Sequence, residues 1–447
     1  MKAFFTKSYN IFALVMLFII AVSILIPPIC AVPDAGEYFG TFTRIGLYQT
    51  SEYSVSLSYG IDTPNADNLT FFERFLTVVI AINKAVYSDS VFDIRFLSVL
   101  YMLVFMASAY LFLRNMRTGV NVIDYTLGVV MLVFFCDLGY ISYFNSFYAS
   151  ALNLVLVFSM LSLAVAMNKN FKLWKLILFT IVSVLYVFTM YQNFASGAVA
   201  AVLLAIFSVR KVGAERIVGI ICAVVILASS VFSFADANIP TKNENVFNSV
   251  FYGVLMDNPN TDEALKEFGL EGHEDLIGKT SYEVKPEDVS LVKGIGYGKI
   301  MAYYVKNPKL LLDKMDMSAK NSYFLVQDFL NYNDLKPVPF KIWNLLKRKV
   351  LPQSLWIILI YAAAFFVMAF KEFKKKGGAY LLSMVLPVAL VTELIYSFIA
   401  NGGVLISMKL FAFGIYLDIM LMLTIVWGID TVLNRRKEIK EKYGVNQ

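Results

Sequence analysis

Histidine and cysteine are scarce in this chain, and their scarcity excludes several kinds of site. The 447 residues contain one histidine, His273, and three cysteines, Cys30, Cys136 and Cys222. A single histidine cannot build a histidine metal cluster. The cysteines all lie in or at the ends of apolar runs, so no disulfide framework holds the polar parts of the chain.

Charged residues are also few. Only 16% of the residues are charged, whereas 58% are hydrophobic. A soluble domain cannot bury that share of apolar side chains, and they fall in runs of about 18 or more, as membrane-spanning helices require. The sequence therefore predicts an all-α polytopic membrane protein. We expect about ten transmembrane helices, at residues 10–30, 94–113, 121–137, 150–167, 173–190, 194–209, 217–235, 353–370, 379–399 and 407–429.

Lysine and arginine are missing from the short loops at one end of the predicted spans. The loops 138–149, 191–193 and 400–406 contain neither residue, whereas the segments at the opposite ends of the spans contain several. Because positively charged loops stay in the cytoplasm, we expect the three short loops outside and both termini in the cytoplasm, as in a multi-pass protein of the cell membrane. The net charge of +6 then belongs to the cytoplasmic face, where it favours contact with anionic lipids of the bilayer and not with nucleic acid.

This topology divides the chain into four parts. They are a seven-span module at 1–235 with a long first outer loop at 31–93, a mainly helical extracellular domain at 236–352, a three-span module at 353–430, and a basic cytoplasmic tail at 431–447. In the first outer loop, Phe71 begins an apolar stretch that is too short and too charged at its start for a span. We predict an amphipathic helix that lies along the outer interface.

Two carboxylates, Asp34 and Glu37, directly follow the first span. Both are expected on the outer side at headgroup depth, and a helical segment would place them on one face. Transfer of a sugar to a hydroxyl needs a base that accepts the proton, or a metal held by carboxylates that stabilises the leaving phosphate. Asp34 and Glu37 are therefore candidate catalytic residues, with a divalent metal as one option for a cofactor. The alternative is a pair of ordinary loop carboxylates.

Aromatic and amide side chains occupy the short outer loops. Tyr143, Asn145 and Tyr148 follow the third span, and Gln192 and Asn193 follow the fifth. Rings stack on sugar faces, and hydroxyl and amide groups bond to sugar hydroxyls. These five residues are therefore candidate substrate-binding residues. The alternative is an aromatic belt at the membrane interface.

Charges near and inside the spans complete the set of candidates. Lys409 opens the last span from the outside, and Arg44 follows the acidic pair. Either could hold the phosphate of a lipid-linked donor, although Lys409 could instead extend to the interface and Arg44 could neutralise the loop. Glu393 and Asp418 lie inside the last two spans, where ionisable groups are rare and often functional. For Asp418 we expect burial against a polar partner.

The layout resembles the GT-C superfamily of membrane glycosyltransferases. Members of that superfamily have a seven-span module and carry an acidic motif in the first outer loop. This chain has the same features in the same order: seven predicted spans, with Asp34 and Glu37 and the helix from Phe71 in the first outer loop. Three stretches are also similar to poorly characterised bacterial membrane proteins assigned to it, at 143–148, 248–257 and 304–309.

The resemblance implies an enzyme that takes a sugar from a polyprenyl-phosphate donor on the outer face and inverts the anomeric carbon. Asp34 is then the first candidate for the base and Glu37 the second, and the acceptor is a cell-surface glycan or lipid. Three alternatives stay open. The first is an O-antigen-type polymerase or ligase, although the outer loops contain few of the arginines that such enzymes use. The second is a lipid or polysaccharide transporter, although the paired broken spans typical of transporters are not found. The third is a membrane scaffold without catalysis.

Overall fold

The computed structural model describes residues 8–26, 29–32, 38–50, 56–64, 69–235, 242–323, 342–351, 353–376, 383–404 and 406–443, and these residues are mostly helical. In chain order the α-helices are α1 Ser8–Leu25, α2 Tyr38–Ile45, α3 Phe71–Val86, α4 Arg95–Met116, α5 Asn121–Phe135, α6 Leu138–Ile141, α7 Ala149–Lys169, α8 Leu173–Thr189, α9 Asn193–Val209, α10 Ala214–Ala235, α11 Lys242–Phe247, α12 Thr261–Phe268, α13 Pro286–Val289, α14 Tyr297–Lys306, α15 Pro308–Asn321, α16 Ile342–Val350, α17 Leu355–Lys376, α18 Val385–Ile399, α19 Ile406–Lys409 and α20 Phe411–Tyr443.

Among the described residues, six helices are long and apolar enough to cross a membrane. They are α1, α4, α7, α10, α17 and α20. A seventh span results if α5 and the turn that follows it, which are bent by 54°, are one broken helix. Helices α8, α9 and α18 are shorter but apolar. Each predicted span overlaps one of these helices, so the prediction of a multi-pass helical membrane protein is confirmed.

A small β-sheet between residues 31 and 93, the predicted first outer loop, corrects the expectation of an all-α chain. Its strands are β1 Leu47–Gln49, β2 Ser58–Ile61 and β3 Val91–Asp93, in the order β1-β2-β3 and antiparallel throughout. The side chain of Asn83 fixes β3, because its Nδ2 donates to Val91 O (2.8 Å) and its Oδ1 accepts from Asp93 N (3.0 Å). Strands this short leave no alternating pattern in the sequence that could predict them.

Helix α3 is the amphipathic helix predicted from Phe71. A capping box starts it: Thr70 Oγ1 accepts from Glu73 N, and the Glu73 carboxylate accepts from Thr70 N at 2.7 Å. The two bonds satisfy backbone donors that the first turn of a helix otherwise leaves unpaired. Phe75 packs on Tyr101 of α4, with ring centroids 5.8 Å apart. The start of α3 therefore has a defined position against the spans.

The polar region that follows α10 packs on the loop after α18. In this region, a π-helix at Asn248–Val254 contacts that loop. Asn248 Nδ2 donates to Asn401 Oδ1 (2.7 Å), and Ser249 Oγ donates to Ile399 O (2.7 Å). Gly402 has a φ of +64°, and a Cβ at this position would overlap the backbone oxygen of Asn248. The two backbones approach so closely that only glycine fits.

We therefore expect Gly402→Ala to destabilise the contact between the π-helix and the loop. The alanine meets a positive φ and a filled space, and the two effects together should cost about 1–3 kcal/mol. The measurement is the apparent unfolding temperature in detergent, with limited proteolysis of the polar region. Gly428→Ala is the matched control, because a Cβ there meets nothing within 4 Å. Equal stability of the two variants would contradict the prediction.

Candidate functional site

A cavity of about 690 Å³ lies at the helix ends that carry the short loops without lysine or arginine. Its volume is in the range of pockets that bind small molecules and cofactors. The residues around it come from the start of α3, the start of α7, the end of α8 and the loop after it, the end of α10, α11, the start of α14, the loop after α18, and α19. They are Leu69, Thr70, Phe71, Phe72, Arg74, Ala149, Phe188, Thr189, Met190, Tyr191, Gln192, Phe232, Ser233, Asn245, Tyr297, Ala400, Asn401 and Lys409.

Two cations line this cavity. Arg74 is exposed, and its Nε donates to Leu69 O at 3.1 Å. Lys409 is half-buried at the end of α19. Among the described residues that line the cavity, none is an aspartate or glutamate. The electrostatics of the cavity therefore favour an anionic ligand.

The structure brings together two of the predicted binding residues, Gln192 and Lys409. Gln192 lies at the N-cap of α9 and is half-buried. Its Nε2 donates to Oε2 of Glu393 at 3.5 Å, and Glu393 is 1% exposed inside α18. Gln192 thus connects the cavity to a carboxyl group inside the protein.

Asn145 and Asn193 lie in the interior and not at this cavity. Asn145 Nδ2 donates to Ile24 O (3.0 Å) and Cys30 O (2.8 Å), and its Oδ1 accepts from the Ser98 hydroxyl. Asn193 Nδ2 donates to Asn153 Oδ1 (2.9 Å) and to Tyr186 O (2.7 Å). Both amides connect helices to one another, and their predicted contact with substrate stays a prediction.

Tyr143 and Tyr148 are buried as well. Their ring centroids are 6.0 Å apart, and the Tyr143 ring packs on Phe411 at 4.1 Å. Neither residue lines the cavity. The two rings fill the interior beside the last span, and a role in sugar binding stays a prediction.

Arg44 forms an ion pair with Glu73, with 2.8 Å between Nη2 and Oε2. Glu73 belongs to the capping box of α3, and its partner Thr70 lines the cavity. Of the two roles predicted for Arg44, neutralisation of the loop matches this contact. The ion pair also connects α2 to α3, and so fixes one wall of the cavity.

The acidic pair Asp34 and Glu37 lies outside the described residues. The residues that lead to it, 29–32, are buried. Cys30 N donates to Ser23 O at 2.8 Å, and Cys30 O accepts from Asn145. The chain is therefore fixed against α1 and the Asn145 turn just before the acidic pair.

One family model matches nearly the whole chain. Residues 2–446 match the model described as the YfdI N-terminal transmembrane domain. The chain belongs to this family. Membership is consistent with the GT-C-type membrane glycosyltransferase that the sequence resembles. No curated protein sequence matches the chain.

Two solved structures from Archaeoglobus fulgidus are similar to this YfdI-type domain. One is the archaeal oligosaccharyltransferase AglB in complex with an inhibitory peptide and a dolichol-phosphate. Its sequence is 11% identical, the match covers 99% of this chain and 53% of that chain, and the TM-score is 0.42. The other is the oligosaccharyltransferase tethered to an acceptor peptide, with 12% identity, coverage of 93% and 49%, and a TM-score of 0.39. The chain spans about half the length of these two proteins.

In this YfdI-type domain the polar partner expected for Asp418 is Lys347. Lys347 Nζ lies 2.9 Å from Asp418 Oδ2, and both side chains are fully buried. The Tyr140 hydroxyl donates to the same carboxylate oxygen at 2.5 Å. Lys347 lies on α16, the helix before α17 in the chain, so its pairing with α20 could not be predicted from sequence spacing.

Two cavity residues that bear on ligand binding, Arg74 and Tyr297, are not among the site residues predicted from the sequence. Arg74 is not among the predicted binding residues, although its place at the start of an amphipathic helix is a usable signal. Tyr297 gave no signal, because it belongs to the polar region and contacts the loop after α18. Burial raises the pKa of the Tyr297 phenol, which stays protonated and donates to Ala400 O at 3.2 Å.

Proposed function

We propose that this protein is an integral membrane glycosyltransferase that moves a sugar from a polyprenyl-phosphate donor to a glycan or lipid acceptor on the outer face. The observation that carries the proposal is the 690 Å³ cavity with Arg74 and Lys409 in its lining. Lysine and arginine bind phosphate by charge-assisted hydrogen bonds. Phenylalanine side chains from α3, α8 and α10 line the same cavity, and they suit the apolar chain of a lipid donor.

The topology of the proposal has ten spans and both termini in the cytoplasm. The three short loops without lysine or arginine, 138–149, 191–193 and 400–406, each contribute residues to the cavity. The positive-inside rule places such loops outside. The cavity then lies at the outer surface of the membrane, beside the polar region 236–352, which we place outside as well.

In the proposed reaction, the acceptor hydroxyl oxygen attacks the anomeric carbon of the donor sugar. The new C–O bond forms as the bond between that carbon and the phosphate oxygen breaks, so the configuration is inverted. The Asp34 carboxylate takes the hydroxyl proton, with Glu37 as the second candidate. The polyprenyl phosphate leaves with the bonding electron pair, and Arg74 and Lys409 stabilise its negative charge.

No step of this mechanism uses a metal. Among the described residues, no group of three or more His, Cys, Asp or Glu side chains is placed to hold one. A divalent metal on Asp34 and Glu37 therefore stays a prediction from the sequence.

The first test concerns the two cations. Arg74→Ala and Lys409→Ala should each raise KM for the lipid donor by about 10-fold or more, because each removes a charge-assisted contact with phosphate. Lys409→Arg should retain most of the affinity. The assay measures transfer from the polyprenyl-phosphate sugar fraction of host membranes to membrane acceptors.

Lys266→Ala is the matched control for these variants, because Lys266 is exposed on α12 and does not line the cavity. Its KM should equal that of the unchanged protein. If Arg74→Ala and Lys409→Ala also left the donor KM unchanged, the cavity would not be the phosphate site.

A further inference from the structure

The contact between Gln192 and Glu393 is unusual for its depth. Glu393 lies in α18 with 1% of its surface exposed, and Gln192 Nε2 donates to it at 3.5 Å. In the described part of the chain Glu393 takes part in no ion pair. A carboxyl group inside a membrane span is costly to bury, and such groups are retained mostly for function. No cation among the described residues offsets the cost of this one.

Neutral polar groups surround Gln192 in the cavity. Asn245 supplies a further side-chain amide, whereas the amide of Asn401 is bonded to Asn248 and Val404, and Tyr191 and Tyr297 supply rings whose centroids are 5.6 Å apart. Amides bond to hydroxyl groups as donors and as acceptors, and aromatic rings pack on the apolar faces of sugars. This part of the lining suits a sugar, whereas the two cations suit a phosphate.

Two sets of contacts fix the position of Gln192, one at its backbone and one at its side chain. Its chain neighbour Asn193 is fixed by hydrogen bonds to Asn153 and to the Tyr186 backbone, which fixes the backbone at the start of α9. Glu393 then fixes the side chain. The contact uses the NH₂ edge of the amide, because Gln192 Nε2 donates to Glu393 Oε2. The carbonyl oxygen on the other edge is left as the acceptor that Gln192 offers to a ligand.

We infer that Gln192 recognises a hydroxyl group of the donor sugar, and that Glu393 is a positioning residue that orients the Gln192 amide from inside the membrane span. The inference rests on the proposed function and adds the chemistry of the headgroup. The ligand is a hexosyl group that donates a hydrogen bond to Gln192. Glu393 contacts no substrate and takes no part in the bond-forming step.

The test measures sugar selectivity in proteoliposomes. The donors are decaprenyl-phosphate glucose, galactose and mannose, which differ from one another in the orientation of single hydroxyls, and the host lipid-linked sugar fraction. The proteins are the unchanged chain, Gln192→Leu, Glu393→Leu, Glu393→Gln and the double variant Gln192→Leu/Glu393→Leu. The ratio of rates between donors is independent of the amount of folded protein, so poor expression does not obscure the result.

We expect Gln192→Leu to raise KM for the preferred donor by about 10-fold with little change in kcat, because one hydrogen bond to the sugar is lost. Glu393→Leu should have a similar effect, and the double variant should be no worse than Gln192→Leu, since both changes remove the same interaction. In Glu393→Gln the new amide oxygen can still accept from Gln192, but the new NH₂ group can also donate to the Gln192 carbonyl. The donor selectivity of this variant should therefore lie between those of the unchanged protein and Glu393→Leu.

Thr392→Val is the matched control in the same helix, because the Thr392 hydroxyl donates to Val388 O of its own helix (2.8 Å) and, among the described residues, has no hydrogen bond with Gln192 or Glu393. It should leave KM and the donor ratios unchanged. If the unchanged protein transfers sugar but Gln192→Leu and Glu393→Leu keep its donor KM as well as its donor ratios, the inference is wrong and the proposed function stands. If the unchanged protein transfers no sugar from any of these donors, the proposed function itself fails, and the inference with it.

Discussion

Asp34→Asn is expected to lower the rate of sugar transfer by about 10²- to 10⁴-fold, the contribution of a positioned general base. Asparagine has the shape of aspartate but cannot accept the proton of the acceptor hydroxyl. Donor binding should be nearly unchanged, because Arg74 and Lys409 are untouched. In the native host, the lipid-linked sugar should therefore accumulate while the modified surface glycan or lipid disappears.

Two comparisons make this prediction specific. Glu37→Gln should have a smaller effect than Asp34→Asn if Asp34 is the base, and the order should reverse if Glu37 is. Asp62→Asn is the matched control, since Asp62 is an exposed carboxylate of the same outer loop whose Oδ1 accepts from Thr63 N at 2.7 Å. Normal expression of the Asp34 and Glu37 variants with unchanged surface glycans and lipid pools would remove the main support for the transferase.

The contacts of Asn145 bear on how the acidic pair is positioned. Its amide joins the Cys30 and Ile24 carbonyls to the Ser98 hydroxyl. The chain that leads to Asp34 is thereby attached to α4 as well as to α1. A polar residue in an outer loop can contribute to a site in this way without touching substrate, and the residue type alone does not distinguish the two roles.

The spans could be predicted from the sequence because their cause is local. A bilayer requires about 20 apolar residues in each span, and each predicted span overlaps a helix. Two shorter features were also accessible. Phe71 starts an amphipathic helix, and Gly269 ends α12 with a φ of +74°. Both depend on residues that are neighbours in the chain.

The cavity and the sheet could not be predicted in the same way, because they depend on contacts between distant segments. Gln192 and Lys409 were each proposed separately, and only the fold shows that they line one cavity. Arg74 becomes a candidate ligand only because α3 packs beside α8. The bond from Gln192 to Glu393 joins two helices whose adjacency no sequence pattern indicates.

The Lys347–Asp418 ion pair gives the prediction with the largest effect on stability. Both side chains are fully buried, with 2.9 Å between Nζ and Oδ2. Removal of one partner leaves the other charge buried without compensation, which costs about 3–5 kcal/mol. Lys347→Met and Asp418→Leu should therefore each lower the apparent unfolding temperature markedly in detergent or nanodiscs. Each should also release α16 from its contact with α5, where Trp343 stacks on Phe134 with ring centroids 3.9 Å apart.

The double variant Lys347→Met/Asp418→Leu distinguishes the contribution of charge to stability from the contribution of packing. Replacement of a buried ion pair by apolar residues of similar volume is often neutral or stabilising, so most of the lost stability should return. Lys320→Met is the matched control, because its pair with Asp316 (2.7 Å) is largely exposed and should contribute less than about 1 kcal/mol. If the double variant were as unstable as the sum of the two single variants, the pair would not act through charge compensation. Its importance would then lie in the hydrogen bond from Tyr140 and in the packing of α16 against the spans.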